Sequence, residues 1–135
     1  MNMAYVMVGL AGIVGAILRY MLGFAVQSVW TGFFPFATWT ANMIGSFLLA
    51  FLTASFFRSR KIHPYAVSAL GTGLIGSFTT FSTFSVETVQ LLRNGKMVIA
   101  LMYVLLSIAG GLAMAWLGLQ TGNKAFRSKE WERER

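Results

Sequence analysis

Residues 71–85 read GTGLIGSFTTFSTFS, a run of glycines, hydroxyls and phenylalanines inside a stretch that is otherwise apolar and almost uncharged. Hydrocarbon supplies no water to free N–H and C=O groups, so irregular backbone at bilayer depth persists only where protein buries it or a wet cavity runs beside it. Gly71, Gly73 and Gly76 each weaken a helix. Ser77, Thr79, Thr80, Ser82, Thr83 and Ser85 then supply six hydroxyls able to satisfy released backbone groups. The pattern predicts a helix broken near residues 76–80. Carbonyls freed from its first half would suit a small cation such as sodium, and N–H groups exposed on its second half would favour negative charge. The stretch reads as a candidate ion path, against the competing reading of a continuous, tightly packed glycine and serine helix.

The surrounding composition places that path in a membrane. Of 135 residues, 56% are hydrophobic and 11% charged, which leaves a chain this short little polar surface to face water. Four apolar segments, roughly 3–26, 36–57, 65–92 and 97–119, each reach the ~20 helical residues that cross a ~30 Å hydrocarbon core. The first lacks the basic start and cleavage site of a signal peptide and reads as a retained span. It carries Gly9, Gly12 and Gly15 at a helix-packing spacing, as do Ala37, Ala41 and Gly45 on the second segment and Gly111 and Ala115 on the fourth. Short turns at 30–35, 58–64 and 93–96 leave no room for a linker or soluble domain. The chain divides into a four-helix membrane domain, 1–122, and a charged tail, 123–135, read as a solvated helix extension or a frayed end.

Without cysteine there is no disulfide and no thiolate metal site, and the single His63 sits among loop residues Arg60, Lys61 and Pro64, which excludes a histidine cluster. The net charge of +7 lies at segment ends, where lysine and arginine meet phospholipid head groups rather than nucleic acid. With an even number of spans, the amino terminus, the second loop (Arg58, Arg60, Lys61) and the tail with its five basic residues share one side. The other side holds Arg93 and Lys96, with Arg19 near the end of the first span, so without the tail the count is three against three. The positive-inside rule then barely chooses an orientation, while the tail favours the amino terminus inside. Insertion both ways round makes an antiparallel dimer possible, and four short helices are too few to enclose a pore alone.

Polar residues within spans are costly and face a partner or a water path. Asn42 either donates its amide to an ion or bridges helices. Tyr103 and Ser107, four apart, share a helix face. Glu87, the only acid before the tail, is either a switch or a structural partner to Arg19 or a backbone group. Phe81 and Phe84 share a face of the second half-helix, as core filler or as rings whose positive edges hold an anion. With Asn42, Ser82, Thr83 and Ser107 they form a weakly binding donor track with no lysine or arginine in mid-span beside it. Neutral donors suit a pore, which must replace hydration yet release the ion.

Three motifs then identify a resemblance. G-x-x-G-A-x-x-R-Y at 12–20, T-x-x-x-N-x-x-G-S-F at 38–47 and above all GxxGSFTTFSTFS at 73–85 resemble the Fluc (CrcB) fluoride channels, small four-span proteins that export fluoride from bacteria. The resemblance covers nearly all of residues 4–119. It implies an all-α membrane protein of four transmembrane helices, the third broken, assembled as an antiparallel dual-topology homodimer in the bacterial inner membrane. Two fluoride pores would flank one central sodium held by backbone carbonyls of Gly76 and Thr79. Phe81 and Phe84 would be the pore's paired rings and Asn42 the amide donor beside them. Tyr103 and Ser107 would continue a polar track whose next family hydroxyl falls at Gly111 in this chain, while Arg19 and Glu87 would take structural or entrance roles. The function implied is passive conduction of toxic cytoplasmic fluoride down its gradient, in a non-enzyme whose partners are fluoride, a second copy and lipid. A small multidrug exporter would want an embedded acid in the first span, which is absent. A non-conducting membrane subunit and, least of all, a membrane enzyme complete the alternatives.

Overall fold

The structure is a computed structural model that describes residues 3–57 and 62–131, with side chains to residue 127; Arg58, Arg60 and Lys61 of the second loop lie outside the described residues. The described residues form helices and turns without a strand. Helix α1 runs over Met3–Gln27 and α2 over Phe36–Leu52, the latter extended by a π-helical turn at Thr53–Phe57. The third segment comes in pieces: α3 at Pro64–Ser68, a π-helical stretch at Ala69–Ile75, a single turn α4 at Gly76–Phe78, and α5 at Phe81–Arg93. Helix α6 runs unbroken over Met97–Trp131. Met3–Gln27, Phe36–Phe57 and Met97–Arg127 are long and apolar enough to cross a membrane. This is a multi-pass membrane protein.

Local chemistry sets the ends of these elements. His63 accepts a hydrogen bond at Nδ1 from the Tyr65 N–H (3.3 Å), and Pro64 occupies the first helical position, where its missing N–H costs nothing. The histidine excluded from catalysis is thus a helix cap. Between α5 and α6, Gly95 takes φ +70°, a conformation open to glycine without strain, and the Gly95 and Lys96 N–H groups bond back to Leu92 and Leu91 carbonyls.

Packing relies on close backbone approach. A Cβ at Gly15 would run into the Leu74 carbonyl oxygen, and one at Gly73 would lie 2.6 Å from the Val8 carbonyl oxygen, so α1 crosses the π-helical stretch with nothing between the two backbones. Gly12 belongs to this seam through Ser77, whereas Gly9 faces open space, contrary to the even spacing of the three in the sequence. On α6 the close contacts fall at Gly110, Gly118 and Gly122, against Met43, the Phe47 carbonyl and the Phe51 carbonyl, while Gly111 has only ordinary neighbours. Helices α2 and α6 run parallel along this seam. The fourth segment also exceeds its expected limit, since α6 continues as helix through the tail to Trp131.

Candidate ion pathway

Thr79 (φ −81°, ψ 160°) and Thr80 (φ −152°, ψ 125°) are extended, and they separate α4 from α5. In an unbroken helix the Thr80 N–H would bond the Gly76 carbonyl and the Thr83 N–H the Thr79 carbonyl. Both donors are diverted here. The Thr80 N–H goes to Asn42 Oδ1 (2.8 Å), and the Thr83 N–H goes to Thr80 Oγ1 (3.2 Å), which caps α5. The carbonyls of Gly76 and Thr79 are thereby released from helical pairing.

Asn42 clamps this break from both sides. Besides accepting from Thr80 N–H, its Nδ2 donates to the Thr80 carbonyl (3.0 Å), so one side-chain amide satisfies both backbone groups of one extended residue. Of the alternatives open in the sequence, helix bridging is the arrangement observed, with one amide hydrogen left for a further acceptor. Thr80 Oγ1 donates to Thr83 Oγ1 (2.9 Å) and lies 3.3 Å from Ser82 Oγ, so the hydroxyls gather at the first turn of α5.

Glu87 sits two turns further along α5. Its Oε1 accepts from Thr38 Oγ1 (2.9 Å) and its Oε2 from Tyr103 OH (2.8 Å), tying α2, α5 and α6 together. Tyr103 is 0% exposed. Its ring centre lies 4.9 Å from that of Phe84 and 5.3 Å from that of Phe34, the latter edge-on. The Phe81 and Phe84 centres are 5.8 Å apart at 38°, with Phe81 79% exposed and Phe84 packed into the cluster of Leu91, Ala100 and Tyr103. Arg19 is not the partner of Glu87, whose oxygens are held by hydroxyls instead. Arg19 corrects a second expectation as well. It lines a cavity with Thr80 and Thr83, so a cation does approach the donor track. The reason is the α1 crossing at Gly15, which brings the next turn of α1 to the break.

Three cavities string these residues together. One of ≈450 Å³ reaches from Lys96 and Asn94 at its mouth to Glu87, with Gln27 and Gln90 in its wall. A second of ≈160 Å³ shares Gln27, Ala37 and Glu87 with the first and reaches Arg19, Thr83 and Thr80. A third of ≈330 Å³ takes over at Thr80 and is lined by Asn42, Ser46, Gly76, Thr79 and Phe81. Lys96 holds its Nζ 3.1 Å from the Phe33 ring centre beside the outer cavity. Ser107, on the same face of α6 as Tyr103, lies off the walls of these three cavities.

Residues 6–119 match the family model described as CrcB-like protein, Camphor Resistance (CrcB). The chain belongs to the CrcB family. Among similar members, "Fluoride-specific ion channel FluC 1" of Bacillus cereus is 49% identical over 123 residues, covering 90% of this chain and 89% of the relative. A protein of the same name from Desulfitobacterium hafniense is 46% identical over 114 residues, 84% of this chain and 98% of the relative. "Fluoride-specific ion channel FluC 2" of Listeria innocua is 41% identical over 127 residues, 93% and 95% of the two chains. These CrcB relatives carry the names of ion channels, not of enzymes. The CrcB match spans α1 to α6 and so includes the break, its Asn42 clamp and the Thr38–Glu87–Tyr103 tie.

Proposed function

We propose that this CrcB chain is a fluoride-selective channel of the bacterial inner membrane, exporting cytoplasmic fluoride by passive conduction. The observation that carries the reading is the line of three adjoining cavities meeting at Glu87 and Thr80, whose mostly apolar walls set amide and hydroxyl donors at intervals, with Lys96, Glu87 and Arg19 as the charged groups beside them. Fluoride holds its water strongly and must be offered donors at each step. Neutral groups replace that shell piecemeal while still releasing the ion. Gln27, Gln90 and Asn94 stand near the mouth, the Thr80–Thr83 hydroxyls and the first N–H groups of α5 at the break, and Asn42 beside Phe81 beyond it. The edges of Phe81 and Phe84 add weak positive potential without a formal charge.

The two half-helices around Thr79 and Thr80 together make the third of four crossings, a broken transmembrane helix. The active unit is an antiparallel dual-topology homodimer with two pores. Its support is the third cavity, which lies open on one face with Phe81 and the break in its wall, a surface a second copy would cover. The released Gly76 and Thr79 carbonyls border that same cavity and fit the hard oxygen chemistry of sodium. When bound between two copies, the cation would neutralise the negative ends of the carbonyl dipoles and hold the two breaks together.

The test is release from vesicles reconstituted with the purified protein and loaded with potassium fluoride or potassium chloride, followed by anion-selective electrodes. Fluoride released within seconds of a potassium shunt, with chloride retained, is the expected result. Retention of both ions refutes conduction, and release of both refutes selectivity.

A further inference from the structure

Thr38, Asn42 and Ser46 recur every fourth residue on α2, and Tyr103, Ser107 and Gly111 do the same on α6. Because α2 and α6 run parallel, these two stripes stand side by side, each about 12 Å long. Glu87 joins them at one end through Thr38 and Tyr103. At the other end the α6 stripe has no side chain, and a Cβ built on Gly111 would lie 3.9 Å from Ser46 Oγ. The α2 hydroxyl thus stands beside the gap that glycine leaves in the α6 stripe.

Ser46 differs from the hydroxyls that turn back on their own helices. Thr53, Ser55, Thr79, Ser85, Thr88 and Thr121 each bond a carbonyl four residues back on their own helix, the usual retreat of a hydroxyl in apolar surroundings. Among the described residues Ser46 makes no hydrogen bond, although the Asn42 carbonyl is available to it in the same way. It lines the ≈330 Å³ cavity with Asn42, Thr80 and Phe81. A mid-span hydroxyl that faces a cavity with its donor unspent is a group placed for a ligand.

We infer that Ser46 is a pore residue, a hydroxyl donor that receives the anion beyond Asn42 and Phe81, beside the gap that Gly111 leaves on α6. The inference rests on the fluoride-channel reading and adds to it a residue on α2. It also assigns Gly111 a reciprocal role, because its missing side chain leaves room for the ion beside Ser46. Position 111 has space for a serine, since the nearest atoms to its Cβ, Met43 Cε and Ser46 Oγ, are both at 3.9 Å.

The experiment compares fluoride release from vesicles holding the wild-type chain, Ser46→Ala, Gly111→Ser and the double variant. Oligomeric state is checked for each by size-exclusion chromatography in detergent. Ser46→Ala should slow release about fivefold, the worth of one hydrogen bond at a rate-limiting position. The double variant should recover most of that loss, because a hydroxyl returns to the same spot from the other helix. A purely structural serine gives no such rescue. Ser46→Ala conducting at the wild-type rate, or a double variant as slow as Ser46→Ala, overturns the inference. A wild-type chain that releases no fluoride refutes instead the channel reading on which the comparison depends.

Discussion

Asn42 decides the geometry at the scale of single residues. Its amide supplies one acceptor to the Thr80 N–H and one donor to the Thr80 carbonyl, a complementary pair that no hydrophobic residue and no carboxylate can offer. Asn42→Ala leaves both backbone groups unmatched at bilayer depth, costing about 1–3 kcal/mol for each group left unsatisfied. Asn42→Asp retains the acceptor and turns an oxygen toward the Thr80 carbonyl. Both variants should unfold at lower temperature in detergent than the wild type and should lose fluoride release, as thermal-shift and electrode measurements would show. Phe84 makes a different prediction because its ring is part of a packed cluster with Tyr103, whereas Phe81 is exposed to the open cavity face. Phe81→Ile should abolish release while leaving the melting temperature of the isolated chain unchanged. Phe84→Ile should lower both, and equal release by both variants and the wild type removes the ring-edge argument.

Helix crossings carry the argument at the scale of elements. The Gly15–Leu74 approach fixes where α1 meets the third segment, and through it the arrival of Arg19 at the break. Gly15→Ala should therefore cripple folding and expression, because its Cβ meets backbone rather than a movable side chain. Gly9→Ala, with nothing within 4 Å, should express and melt like the wild type or slightly better. Expression yield and melting temperature of the two variants, measured side by side, check this contrast. Much at this scale was readable from residues alone. Apolar runs mark α1, α2 together with its π-helical turn, and the start of α6 to within a residue or two, since span length is set by hydrocarbon thickness and not by tertiary contacts. The π-helical stretches were not readable. Their setting is tertiary, with Phe57 of one packed 3.5 Å from the Cβ position of Gly71 in the other. Nor could the sequence bring Thr38 to Glu87, 49 residues away, although its position one turn before Asn42 on the same stripe was a usable sign.

Charge distribution governs the whole molecule. An even number of crossings would put the tail's five basic residues, Lys124, Arg127, Lys129, Arg133 and Arg135, on the side of the amino terminus, and without them the count of basic residues is balanced. Replacing all five with glutamine should raise the fraction of chains inserted with the amino terminus outside. Because the chain has no cysteine, Asn94→Cys in the exposed α5–α6 turn offers a single labelling site, and impermeant thiol reagent added to intact cells reads the orientation. An unchanged labelled fraction would show that the tail does not set topology. Basic residues could be counted from sequence, whereas the cavities could not be read there, because each is walled by two or more segments that come together only in the folded chain.

The Asn42 clamp also bears on speed. An interruption whose loose peptide groups are already satisfied by a neighbouring helix has no reason to rewind or open each time an ion passes. Transit then needs no cycle of inward-facing and outward-facing shapes, and throughput should be governed by diffusion and local dehydration. Warming reconstituted vesicles should accordingly speed fluoride loss only gently, in contrast to the steep dependence expected of a carrier that rocks between two states.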